Sequence, residues 1–199
     1  MTGPQTEPVR VVVVNGSPRE QSTTMGLVDV VLEALADRML IDVHRADVYR
    51  LGTGLTAASG RDEVSADVEK VLLDVEGADL LIAATPVFRG SYTGMFKHFF
   101  DLVDQYALAS TPVLLAATGG GSYHALVLEH ALRPLFGFFQ SLVLPVAVFA
   151  SAADFDGTLL LAPRVRSRAE LAAAEAARLL SVSAIDEPVR SPLDPPPVG

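Results

Sequence analysis

The chain has 199 residues, half of them hydrophobic, with 24 acidic against 15 basic residues, a formal net charge of −9 and no cysteine. This length suits one domain with a sizeable core, and the missing cysteines exclude disulfides, thiolate catalysis and sulfur-ligated metals. The acidic balance argues against non-specific nucleic-acid binding, and no apolar run reaches the roughly 20 residues of a membrane span. The opening MTGPQTEPVR lacks the apolar core of a secretion signal, so a cytoplasmic location is expected.

In chain order, residues 1–8 read as a disordered start, 9–183 as one domain and 184–199 as a proline-rich tail. VRVVVV (9–14) is apolar without alternation, the pattern of a strand buried on both faces. Residues 22–39 predict a helix with Leu27, Val28, Val31, Leu32 and Leu35 on one stripe. A weaker strand at 41–48 is followed by a Gly/Ser/Thr-rich stretch, 50–64, read as a long loop. A helix at 65–76, a buried strand ADLLIAATP, a helix at 93–103 and a third strong strand TPVLLAATGGG follow. The last elements are a helix at 123–140, a strand LVLPVAVFA and a closing helix at 166–180.

Five strands alternating with helices imply an α/β fold with right-handed crossovers: a three-layer sandwich, helices on both faces of a parallel sheet. The flavodoxin-like order 2-1-3-4-5 is the leading topology, with ligands expected at the carboxyl ends of the strands beside the switch point. The first, third and fourth strands run there into SPREQSTT, TPVFRGSYTG and TGGGSYH, so the three chemically unusual loops share one edge.

In the first loop, small residues leading into a helix offer backbone N–H groups at the positive end of the helix dipole. Ser17, Ser22, Thr23 and Thr24 add hydroxyls and Arg19 can fork onto phosphate oxygens. A simple helix cap explains Ser22 alone. No GK[ST] or G-x-G-x-x-G follows, and GTGLTA (52–57), which matches the variant G-x-G-x-x-A, is a decoy after a weak strand. In the second loop Phe88 and Tyr92 can lie against a flat ligand that Gly90 and Gly94 let approach, with Arg89 as a nearby cation. The third offers the backbone of Gly119, Gly120 and Gly121 to the polar edge of a ring. Ordinary turns are the alternative for both. Together the loops describe a phosphate and a planar heterocycle, the anatomy of flavin mononucleotide (FMN).

GSPRxxSxT, ATPVFxxSYTGxxK and ATGGxxxH followed by ALRP carry a resemblance, over about residues 9–150, to the NADPH-dependent FMN reductases. Within that family the chain is most similar to reductases that feed two-component flavin monooxygenases of the alkanesulfonate and methanesulfonate type. The resemblance implies hydride transfer from NADPH or NADH to FMN. It implies that Ser17, Arg19, Ser22 and Thr24 hold the phosphate, that Pro86, Val87, Phe88 and Arg89 line the ring and ribityl chain with Tyr92 and Thr93 close by, and that Thr118, Gly119, Gly120 and Gly121 close the other edge. Gly121 and Ser122 depart from the family's usual two-glycine loop.

The 123–140 helix is apolar almost all round, which points to a second burial partner and a homodimer or homotetramer. Pro134 cannot donate to the carbonyl of His130 and should loosen the helix there. His130, His124 and Arg89 are candidate modulators of the flavin, and no side chain is needed as a catalytic acid or base for hydride transfer. His44 and His98 lack a second ligand at useful spacing, so no metal site is expected, and Lys97 with Asp101 reads as a surface pair. The alternatives are a quinone or azo-dye reductase that keeps FMN bound, a flavodoxin-like electron carrier, and a flavin sensor without turnover.

Overall fold

The computed structural model describes residues 7–183. Residues 1–6 and the whole proline-rich tail, 184–199, lie outside the described residues, and with them the expectations placed on those segments.

The strands are β1 (Val9–Asn15), β2 (Ile41–Asp47), β3 (Leu80–Pro86), β4 (Pro112–Gly119), and the short β5 (Leu142–Val143) and β6 (Val148–Ser151). They form one parallel sheet ordered β2-β1-β3-β4-β5, with β6 also on β4, which is the expected flavodoxin-like topology. The unbroken apolar runs have a direct cause. In β1, Val11 and Val13 pack with α1 (Thr23–Ala36) and α6 (Pro163–Ser183), while Val12 and Val14 pack with α3 (Ala66–Glu76), α4 (Gly94–Asp101) and α5 (Arg133–Phe138). The same alternation divides Leu80, Ile82 and Ala84 from Leu81 and Ala83 in β3. On α6 the contact face is Ala169, Ala172, Ala173 and Ala176, all fully buried, and such small side chains let the helix lie close to the sheet.

Three expectations are corrected. The 50–64 stretch is not an open loop: it follows a 3-10 turn at Val48–Arg50 and holds a short helix α2 (Thr53–Thr56) and a second 3-10 turn at Arg61–Glu63. Arg61 pins this segment, donating to Glu69 at 2.6 and 2.8 Å, to Glu76, and to the Leu102 carbonyl at 2.9 Å. The last strand is two pieces. Pro112 pairs Leu142 but Ala116 pairs Val148, so residues 144–147 bulge around Pro145, which has no N–H for a ladder.

Third, the 123–140 helix is broken into a 3-10 turn (Ser122–Leu126), a π segment (Leu128–Leu132) and α5. The widened turn lies immediately before Pro134, where the carbonyl of His130 loses its ordinary donor. Of the expected apolar positions, Val127, Leu128, Leu132, Phe136 and Phe139 are buried, whereas Leu126 and Phe138 stay exposed.

Beyond β6 a two-stranded hairpin, β7 (Phe155–Asp156) and β8 (Leu159–Leu160), lies over α1. Gly26 makes this possible, because a Cβ there would come 2.0 Å from the Thr158 carbonyl oxygen.

Candidate functional site

The carboxyl ends of β1, β3 and β4 lie side by side, and hydrogen bonds stitch the loops that follow them. Thr93 Oγ1 donates to the Gly16 carbonyl at 2.9 Å, joining the first loop to the second. The Val87 N–H donates to the Thr118 carbonyl at 2.7 Å, joining the second to the third. The hydroxyls of Thr24 and Thr118, both buried, meet at 2.7 Å and tie the first turn of α1 to the end of β4. Gly16 admits Phe96 and Thr85 beneath the first loop, since a Cβ would come within 2.8 and 2.9 Å of them.

The hydroxyls of the first loop mostly shape it. Asn15 clasps the turn, donating to Asp47 at 2.7 Å and accepting from the Ser17 N–H at 2.9 Å. Ser17 Oγ accepts from the Arg19 N–H at 3.2 Å, and Ser22 Oγ caps α1 by accepting from the Met25 N–H at 3.2 Å. Both hydroxyls keep their own proton for donation. The backbone is different: the N–H groups of Glu20, Gln21, Ser22, Thr23 and Thr24 have no acceptor among the described residues. Five successive free donors at and just before the N-terminus of a 14-residue helix, at the positive end of its dipole, suit an anion. Arg19 stands exposed beside it, its guanidinium without an ion pair or hydrogen bond among the described residues. This donor set fits a phosphate monoester such as that of FMN.

The second loop is a tight two-residue turn. Phe88 and Ser91 exchange both backbone hydrogen bonds, at 2.8 and 3.2 Å, and the residues between them have positive φ, 53° at Arg89 and 81° at Gly90. That is the I′ pattern, which normally places Asn, Asp or Gly at both positions. An arginine there carries about 1 kcal/mol of backbone strain. Phe88 is 48 % exposed, whereas Tyr92 is half-buried and tilts onto Phe96 with ring centroids 5.9 Å apart. Arg89 is exposed and also lacks a partner among the described residues.

In the third loop two of the glycines also serve the packing of the loop itself. A Cβ at Gly119 would lie 2.8 Å from His124 Cβ and Nδ1, and one at Gly121 would lie 2.6 Å from Tyr123 Cε1. These two glycines make room for rings folded back onto the loop; only Gly120 stands clear, with His124 Cε1 at 4.0 Å. Tyr123 and His124 stack obliquely, centroids 4.2 Å apart, and His124 Nδ1 is buried without a hydrogen-bond partner. A cleft of about 360 Å³ opens between the second loop, at Val87, Gly90 and Ser91, and the segment carrying Tyr123, His124 and His130. No carboxylate lines it.

Residues 52–57 take no part: Gly54 abuts Ser65, and the Leu55 carbonyl accepts from His98 at 2.9 Å. One polar cluster near the same edge escapes the sequence reading. Asp154 accepts from the Ser151 N–H and hydroxyl, both at 2.8 Å, and from Arg164 at 2.5 Å. Burial pushes its carboxyl up, but the hydrogen bonds from Ser151 and the Arg164 charge outweigh this and hold it below the usual carboxylate range. The S-x-x-D spacing of a capping box was the signal available for it.

Comparison with known proteins agrees with this architecture. The family model described as NADPH-dependent FMN reductase matches residues 9–156. An FMN reductase (NADPH) of Pseudomonas aeruginosa is 45% identical over 174 residues, covering 87% of this chain and 94% of the relative. An NADH-dependent FMN reductase of Pseudomonas fluorescens is 46% identical over 172 residues, covering 86% and 92%. Among solved structures, an oxidoreductase from Corynebacterium diphtheriae superposes with a TM-score of 0.77 at 32% identity, covering 88% of this chain and 98% of that one. The apo form of an NADH:FMN oxidoreductase gives 0.72 at 27% identity, covering 85% and 89%. Matched by this family model over residues 9–156 and by relatives 45–46% identical over most of its length, the chain belongs to the NADPH-dependent FMN reductase family.

Proposed function

We propose that the protein passes hydride from NADPH or NADH to FMN and releases the reduced flavin to a flavin-dependent monooxygenase. The observation that carries this reading is the run of acceptor-free N–H groups from Glu20 to Thr24 beside Arg19, hydrogen-bonded through Thr24, Thr93 and Val87 to the cleft. In this reading the N–H groups, Arg19 and the protons of Ser17 and Ser22 hold the phosphate. Thr24 and Thr118 hold one another and so fix the spacing between phosphate and ring. Pro86, Val87, Phe88, Arg89 and Tyr92 border the ring on one side, with Gly119, Gly120 and Gly121 on the other.

FMN supplies the hydride-accepting chemistry when bound; the chain binds, orients and shields. A cleft without carboxylates suits a hydride step, which needs no general acid or base. Phe88, Arg89 and Gly90 are exposed, which leaves the ring side open for flavin to exchange. Tyr123, Leu126 and Phe138, 77, 61 and 61% exposed, give the irregular helix an apolar outer surface, and we place the contact of a homodimer or homotetramer there. A cytoplasmic location matches dependence on NAD(P)H.

The test is NADPH and NADH oxidation by flavin-stripped protein, with and without added FMN, alongside the mass in solution. Oxidation that rises with free FMN over many turnovers supports the reading. Activity requiring only retained FMN plus a quinone would make the protein a quinone reductase, and FMN binding without oxidation would make it a carrier or sensor.

A further inference from the structure

We infer that Arg89 docks a phosphate group of the nicotinamide nucleotide, and that the strained turn beneath it serves to hold this cation at the mouth of the cleft. The inference rests on the reading of the site as an NAD(P)H:FMN reductase and adds a residue that fixes the second ligand.

The first observation is conformational. Arg89 has φ 53° in a two-residue turn closed at both ends by Phe88 and Ser91, a position where asparagine or glycine would sit without strain. Backbone strain of this kind is held in place by the surrounding structure, here the Phe88–Ser91 pair, and it clusters at active sites and ligand clamps. Nothing in the fold uses this side chain: it is exposed and makes no ion pair or hydrogen bond among the described residues. By contrast Arg10, Arg45, Arg50, Arg61, Arg133, Arg164 and Arg166 all pair with carboxylates.

The second observation is the matching of charges. Two cations at this edge are uncommitted, Arg19 and Arg89, and the reaction brings two phosphorylated ligands to a chain of net charge −9. Arg19 shares its loop with the acceptor-free N–H groups, which assigns it to the flavin phosphate. Arg89 lies on the other side of the site, its neighbours Gly90 and Ser91 lining the cleft opposite Tyr123, His124 and His130. No carboxylate stands in that lining to compete for the guanidinium. The fixed turn limits the region the side chain can reach, so less freedom is lost when a phosphate arrives.

The experiment compares wild type with Arg89→Asn, which keeps a turn-compatible residue and protects the fold, and with Arg89→Lys, under saturating FMN. Arg89→Asn should raise KM for the nucleotide about 10- to 100-fold, as expected for a lost charge-assisted hydrogen bond, and by a clearly larger factor than it raises the FMN Kd, because Arg89 also borders the ring. Its Tm should rise by about 2–4 °C as the strain is relieved, and lysine should restore part of the affinity. An equal loss for NADPH and NADH assigns Arg89 to the diphosphate; a loss confined to NADPH assigns it to the 2′-phosphate. Unchanged KM for both nucleotides, or a parallel weakening of FMN, overturns the proposal while leaving the reductase reading intact. Wild type that oxidises neither nucleotide in the presence of FMN overturns the reading itself, and this role with it.

Discussion

Gly26 lies one turn into α1 beneath the β7–β8 hairpin, and replacing it by alanine sets two effects against each other. Alanine in a helix interior is favoured over glycine by about 1 kcal/mol, which alone would stabilise the protein. The added methyl, however, would sit 2.0 Å from the Thr158 carbonyl oxygen and 3.1 Å from its carbon. Close C···O contacts begin near roughly 3.3 Å, so the hairpin must retreat by more than an ångström. The obstacle is backbone, which cannot rotate away like a side chain. Overpacking of this kind costs about 1–3 kcal/mol, and retreat also loosens Leu160, now 1% exposed. The net is a loss of about 1–2 kcal/mol, a Tm lower by about 2–8 °C for a domain of this size. Gly137 in α5 is the control, because a Cβ there meets nothing within 4 Å. Gly137→Ala should raise Tm by about 1–4 °C. Scanning calorimetry of both variants decides the matter. A Tm for Gly26→Ala at or above wild type would refute the close docking of the hairpin on α1.

Further outcomes follow from the site. Arg19→Ala should weaken FMN about 10- to 100-fold in a fluorescence titration, and unchanged affinity would remove the phosphate from the first loop. Thr24→Val and Thr118→Val should each cost about 1–3 kcal/mol in urea unfolding by orphaning the other hydroxyl, with the double variant costing less than their sum; simple additivity would mean the two hydroxyls do not interact. Asp154 carries a pH signature: its folded pKa is depressed, so its contribution is present above the ordinary value of 3.8 and is lost as pH falls through the folded value. Asp154→Asn should therefore be less stable than wild type at pH 7, the gap closing only in strong acid; a gap constant down to acid pH would show that the carboxylate charge contributes nothing.

The parts of the fold most legible in the sequence are those set by burial. Val11 to Val14, Leu80 to Ala84 and Val113 to Ala117 face apolar partners on both sides, so their strands appear as unbroken runs. Turn chemistry made the three loop positions visible as well. Less legible was what the loop residues do to one another. Thr24 and Thr118 are 94 positions apart, and nothing local announces that their hydroxyls meet. That Gly119 and Gly121 also make room for His124 and Tyr123 is hidden in the sequence, because those rings return onto the loop only through the fold. Pro134 and Pro145 marked interruptions, yet sequence alone could not say that one would bring a widened turn at Leu128–Leu132 and the other a bulge in the last strand. The 50–64 stretch deceived because its order comes from Arg61 gripping α3, a contact its own composition does not show.

The bulge around Pro145 also bears on how copies of the chain can meet. An open sheet has two edges, and unpaired strand edges invite other chains to add on and grow into aggregates. On the β5–β6 side Pro145 offers no N–H, the Val146 N–H is taken by Glu175 at 3.0 Å, and the Ala147 carbonyl is taken by Arg168 at 2.6 Å. The β2 edge carries Asp42, Arg45 and Asp47, charged side chains of the kind that blunt an edge strand against further pairing. Both borders thus carry features that discourage runaway strand addition, so an assembly through the helical faces, as proposed above, would not compete with strand pairing.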